Sequence, residues 1–136
     1  MRSRALLLVL SFLVAAIAGI PAAQAQRLRD APSIALKNGE SWETPLYYVV
    51  NCHSMLKGTP EVEILEGPPG VTATVKEAMV LPRAQRCGNR VAGGMLVIAA
   101  KDIEDPSDSR LMLRVTYKTR DGDRKFTSDY NLSLIP

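Results

Sequence analysis

One segment constrains the fold more than any other: residues 110–134, "RLMLRVTYKTRDGDRKFTSDYNLSL". Apolar and polar side chains alternate on both sides of Asp121-Gly122, a dipeptide favoured in tight hairpin turns. Such alternation is the period of a strand and not of a helix. With Asp121-Gly122 at the centre, Tyr117 meets Phe126, Val115 meets Ser128, Leu113 meets Tyr130 and Leu111 meets Leu132, which makes one nearly continuous apolar face. On the other face Thr116 meets Thr127, and Arg114 meets Asp129 as an opposite-charge pair. Lys118 opposite Lys125 is the one mismatch. A one-residue slip would send the whole apolar set to solvent, so the pattern demands a defined register.

The rest of the chain is built from short pieces of the same kind. Ile34 and Leu36 alternate before an Asn38-Gly39 turn signal. Residues 45–51, "PLYYVVN", are rich in β-branched and aromatic side chains and read as a central strand. Val62 and Ile64 form one face of "EVEIL". "GPPG" at 67–70 is a turn; "VTATV" at 71–75 and "AMVL" at 78–81 are two further short strands. Residues 83–94 read as irregular. "MLVIAA" at 95–100 is apolar on both faces, as in a strand covered on both sides. Residues 102–109 form an acidic loop with Asp102, Glu104, Asp105 and Asp108. About seven short strands, turn signals every eight to twelve residues and no helical periodicity predict an all-β chain, an antiparallel β-sandwich.

The turn-then-strand "GPPGVTATV" and the closing hairpin resemble the Ig-like sandwich domains of bacterial envelope proteins. The resemblance implies a seven-stranded Ig-like domain over residues 33–136 that serves binding, adhesion or assembly. The chain departs from antibody-type domains in one respect. Cys87 falls in an arginine-rich, loop-like segment, and Trp42 precedes the first cysteine.

The N-terminal 25 residues read as a secretory signal peptide. Arg2 and Arg4 precede an apolar run from Leu6 to Ile20, and Ala23-Gln24-Ala25 has the small residues a signal peptidase accepts. That run is short for a membrane span, which takes ~20 apolar residues. Cleavage after Ala25 leaves 111 residues, of which 26–32 read as a flexible lead-in, and 15 basic against 14 acidic side chains. A near-neutral chain of this kind gives no footprint for nucleic acid, and nothing downstream is long and apolar enough to span a membrane. A periplasmic or secreted location favours pairing of the two cysteines, Cys52 and Cys87. Closing that 35-residue interval stabilises the fold by roughly 3–4 kcal/mol on the chain-entropy model.

The stretch "VVNCHSMLKG" at 49–58 holds Cys52 beside His53, the only histidine. Nucleophilic catalysis needs a thiolate with a nearby base. Residues adjacent in a strand point to opposite faces, and a disulfide would consume Cys52. The chain is therefore read as non-catalytic, with no cofactor. His53 and Met55 form an H-x-M pair of the kind that suits copper, which makes a small metal carrier the alternative function. Calcium would need several oxygens, and the acidic loop matches no calcium-loop spacing. The favoured site is cationic. Arg83, Arg86 and Arg90 surround Cys87, and a disulfide would pin them beside His53 and Lys57 at one end of the sandwich. Arginine recognises carboxylate and phosphate groups well. The expected function is a binding or assembly module that contacts an acidic envelope partner through this stapled loop.

Overall fold

The computed structural model describes residues 30–83 and 86–136. The expected signal peptide and most of the lead-in lie outside the described residues. Among the described residues all nine elements are strands: β1 Ser33–Lys37, β2 Ser41–Leu46, β3 Val49–Val50, β4 His53–Ser54, β5 Glu61–Glu66, β6 Val71–Val80, β7 Val91–Ala100, β8 Ser107–Thr119 and β9 Gly122–Ile135. They form a four-stranded sheet in the order β1-β9-β8-β5, a three-stranded sheet β2-β7-β6 and a two-stranded ribbon β3-β4. Every pairing is antiparallel except β1 on β9, which is parallel.

The larger sheets contribute to one core. Leu111, Leu113 and Val115 of β8 and Tyr130, Leu132 and Leu134 of β9 share an apolar cluster with Leu96, Ile98 and Ala100 of β7 and Val71 of β6. Each set is spaced by two, as a strand with one inward face requires. Trp42 meets Tyr130 edge-on, with ring centroids 5.6 Å apart. Burying a Leu or Ile side chain of this kind stabilises by about 1.5–3 kcal/mol. A second, smaller cluster of Val49, Val80 and Val91, with Tyr47, Ala78 and Met95 against it, engages the odd-numbered residues of β7. Those residues face away from the main core, which explains why "MLVIAA" is apolar on both faces.

The hairpin of β8 and β9 forms, but two residues out of the expected register. Thr119 pairs with Gly122, Val115 with Phe126 and Leu111 with Tyr130. A shift of two preserves the faces, so the inward residues are those read from the sequence. The cause lies in the turn. Its central residues are Arg120 and Asp121, and positive φ (110°) falls on Gly122. This is the arrangement of a turn followed by one left-handed glycine, not of a turn centred on Asp-Gly. Buried Thr119 closes it by donating its hydroxyl to the Gly122 carbonyl (2.6 Å). The charges rearrange accordingly. Lys118 lies opposite Asp123 and not Lys125, and its Nζ meets Glu61 (2.7 Å). Asp129 is held by Arg110 (2.8 Å), while Arg114 lies 3.7 Å from Glu63.

Four other boundaries differ from expectation. The expected central strand 45–51 is divided: β2 ends at Leu46, and Val49-Val50 begins the separate ribbon. Leu46 lies opposite Gly94 at the end of its ladder. A β-carbon on Gly93 would run into the Leu46 carbonyl and the Val80 side chain, so the chain crosses over β7 where a glycine leaves room. The expected strands 71–75 and 78–81 are one ten-residue strand, β6, and β7 begins four residues earlier than expected. Ser107 already belongs to β8, which shortens the acidic loop.

Two outcomes follow. Gly93→Ala should destabilise the fold by more than about 2 kcal/mol in urea denaturation, because backbone must move to admit the methyl. Burial raises the Tyr117 hydroxyl pKa above 10.0, helped by the neighbouring Tyr130 and Tyr47, and burial likewise raises that of Tyr130. Unfolded phenols then ionise first, so this stabilisation is complete below pH 10 and is lost as pH climbs above it. Thermal melts should fall steeply in that range, and Tyr117→Phe should flatten the fall.

Candidate functional site

The chain between β2 and β5 builds one end of the molecule. Tyr47 and Tyr48 point to opposite sides. Tyr47 packs on the smaller cluster, and Tyr48 packs on Tyr117 (5.8 Å between centroids) and Phe126 (6.4 Å). Tyr48 also accepts the Met55 amide (2.8 Å), which extends the β3–β4 ribbon by one pair. The tip of that ribbon is Asn51-Cys52, with φ of 50° and 62°. Two consecutive left-handed residues are what a two-residue hairpin turn of the primed type demands. Asn tolerates that conformation; Cys pays about 1 kcal/mol for its β-carbon. Cys52 is thus in a turn and not just past the end of the expected strand 45–51.

Cys52 is bonded to Cys87, with Cα atoms 5.5 Å apart. The expected disulfide is present. Ser54 donates its hydroxyl to the Ala92 carbonyl (2.8 Å), which ties the ribbon to β7. Leu56 bridges to Thr119, and the Lys57 amide donates to the Lys118 carbonyl (2.9 Å), which ties the next residues to the β8–β9 turn. Residues 52–57 therefore span from the start of β7 to the tip of the long hairpin.

These ties decide which expected site residues meet. His53 and Arg86 adjoin the two cysteines and are exposed. Exposed Arg90 precedes β7 and donates from Nη1 to the Met79 carbonyl (3.4 Å). Arg83 lies past the end of β6, and Lys57 lies beside the hairpin tip; both are exposed. All five side chains therefore belong to the end where β6 stops and β7 starts. The same end carries exposed Arg120, Arg124 and Lys125, which sequence reading missed. Asp121 and Asp123 interrupt that run and mask its charge. Only long-range contacts, Leu56 with Thr119 and Lys57 with Lys118, reveal that it adjoins Lys57. Phe126, half exposed, gives this end an aromatic surface. A groove of about 620 Å³ opens there, lined by Leu56, Lys57, Gly58, Thr59, Glu77, Ala78, Met79, Ala92 and Gly93.

The opposite end is acidic. It gathers Asp102, Glu104, Asp105 and Asp108 where Gly39 and Gly70 bond to Ala100 and Lys101. Among the described residues, the charges of the two ends lie outside the ion pairs within the chain, apart from Lys118. Those pairs, such as Lys76–Glu43 and Arg110–Glu66, lie along the sheets.

The alternative ligands are dispersed. His53 is exposed and Met55 half-buried. The other methionines that could add thioethers lie apart: Met95 packs on the smaller cluster, Met79 lines the groove, and Met112 lies opposite Asp129 in the other sheet. Among the described residues, no group of three or more His, Cys, Asp or Glu side chains is placed to hold a metal ion. Also among them, no helix is long and apolar enough to cross a membrane.

The staple and the turn can be separated by experiment. Cys87→Ser should lower stability in urea denaturation by about 3 kcal/mol. Adding Cys52→Gly to that variant should restore about 1 kcal/mol, because glycine fits the left-handed turn. A further loss would mean that position 52 is not left-handed.

No family model matches the chain, and neither does any curated protein. Among solved structures, a solution structure of amebosin is similar at 16% identity, over 74% of this chain and 87% of that one, with a TM-score of 0.39.

Proposed function

We propose that this chain is a non-catalytic binding or assembly module of the periplasm or the secreted space, folded as an Ig-like β-sandwich. Its cationic end contacts an acidic partner of the cell envelope. The single observation that carries this reading is the convergence of Arg86, Arg90 and His53 at the Cys52–Cys87 staple, with Lys57, Arg120, Arg124 and Lys125 at the adjoining hairpin tip. A covalently held surface loses less conformational freedom on binding than a loose loop does. Supporting the fold reading is the strand order, β1-β9-β8-β5 in one sheet and β2-β7-β6 in the other, around a shared cluster. Supporting the location are the disulfide, which suits an oxidising compartment, and the signal-peptide pattern at the N-terminus.

Arginines on such a surface act through long-range attraction that salt screens within about 8–10 Å at physiological strength. The test is crosslinking in the native envelope with identification of what is attached. Capture should weaken as salt rises. It should fall at least tenfold when Arg83, Arg86 and Arg90 are changed together to alanine, since each lost charge contact weakens both steering and affinity. Capture that ignores both changes would end this reading.

A further inference from the structure

The outer edge of β6 is a long, continuous strand edge. The larger sheet ends at β1, only five residues long, and at β5, whose ladder is broken by an irregularity between Ile64 and Glu66. On the other sheet, β2 is interrupted by Pro45. Short length, bulges and proline are common ways to blunt an edge. β6 has none of them: its ten residues pair with β7 without a break.

The ladder shows which backbone groups are left over. The Lys101 amide donates to the Gly70 carbonyl (2.8 Å), whereas Ala100 bonds on the other side, its amide to Glu40 (3.0 Å) and its carbonyl to Gly39 (2.8 Å). Bonding direction alternates along an antiparallel ladder. Even-numbered residues of β6 therefore bond to β7. Val71, Ala73, Val75, Glu77 and Met79 turn their amide and carbonyl groups to the outer edge, where the Met79 carbonyl accepts from Arg90 Nη1 (3.4 Å).

A second copy meets this edge on strict terms. A two-fold axis perpendicular to the sheet keeps inner faces continuous and sets odd residues opposite odd. Two registers then pair nearly the whole strand. One sets Lys76 against Lys76 of the other copy, which like charge disfavours. The other sets Val75 against Val75 and Lys76 against Thr74. The same axis runs the two strands in opposite directions. The basic end of each copy, with Arg86 and Arg90, then lies alongside the acidic end of the other, with Asp102 and Glu104. We propose that the chain forms a two-fold dimer by antiparallel pairing of β6 with β6, centred on Val75. That charge complementarity selects a second copy over an unrelated strand. The contact is the same patch on both copies, so it closes at two and does not grow into a fibre. This proposal does not rest on the identity of any envelope partner.

Sedimentation equilibrium of the intact protein tests it, with exposed Thr74 as the lever. The protein should be dimeric at low salt, and the dimer should weaken as salt rises. Thr74→Lys sets like charges opposite each other twice per dimer and should raise the dissociation constant roughly tenfold. Thr74→Glu faces Lys76 of the other copy and should lower it by a similar factor. A protein that remains monomeric at low salt and the highest attainable concentration overturns the proposal. So does a dimer indifferent to both changes, or one that Thr74→Glu weakens.

Discussion

The crossing between the two sheets governs the rest of the architecture. Residues 47–60 leave β2 in one sheet and enter β5 in the other, and a crossing of that length has few backbone partners of its own. It acquires them in sequence: a left-handed turn at Asn51-Cys52, a bond from Cys52 to Cys87, a hydroxyl from Ser54 to Ala92 and a bridge from Leu56 to Thr119. The last three join it to the β6–β7 connection, to the start of β7 and to the end of β8. Together they bring β6, β7 and the β8–β9 tip to one place. The paired tyrosines seal it from both sides, with Tyr48 against the rings of Tyr117 and Phe126 and Tyr47 against the valines behind β7.

The charge pattern follows from this geometry. Basic residues from three separate stretches of chain converge because the crossing gathers their strand ends. The acidic residues collect at the other end, where β7 turns into β8. Net charge says almost nothing about such a chain, since its positive and negative halves nearly cancel. The distribution over the fold, set by which strand ends lie together, is what a partner meets.

Much of this was legible in the residues. Alternation marks the inward face of β8 and β9 correctly, because an even-numbered slip leaves faces unchanged. It does not determine the turn, where the hydroxyl of Thr119 and a single left-handed glycine outweigh the preference for Asp121-Gly122 as the centre. The arginines around Cys87 were visible because the cysteine marks their segment. Arg120, Arg124 and Lys125 were not, because nothing local ties the hairpin tip to Lys57. The break at Leu46 was hidden for a similar reason. The run "PLYYVVN" has strand character throughout, and only the space left by Gly93 shows where the chain must cross.

The parallel pairing of β1 with β9 has a mechanical consequence. Ser33 lies beside Asn131 and Lys37 beside Ile135, in step and in the same direction. A pull that drags β1 backward while drawing β9 forward strains all the ladder bonds between them at once. An antiparallel terminal hairpin peeled from its open end would break them one after another. β1 and β9 thus act as a shear clamp, and tension applied across them meets the combined resistance of the whole ladder.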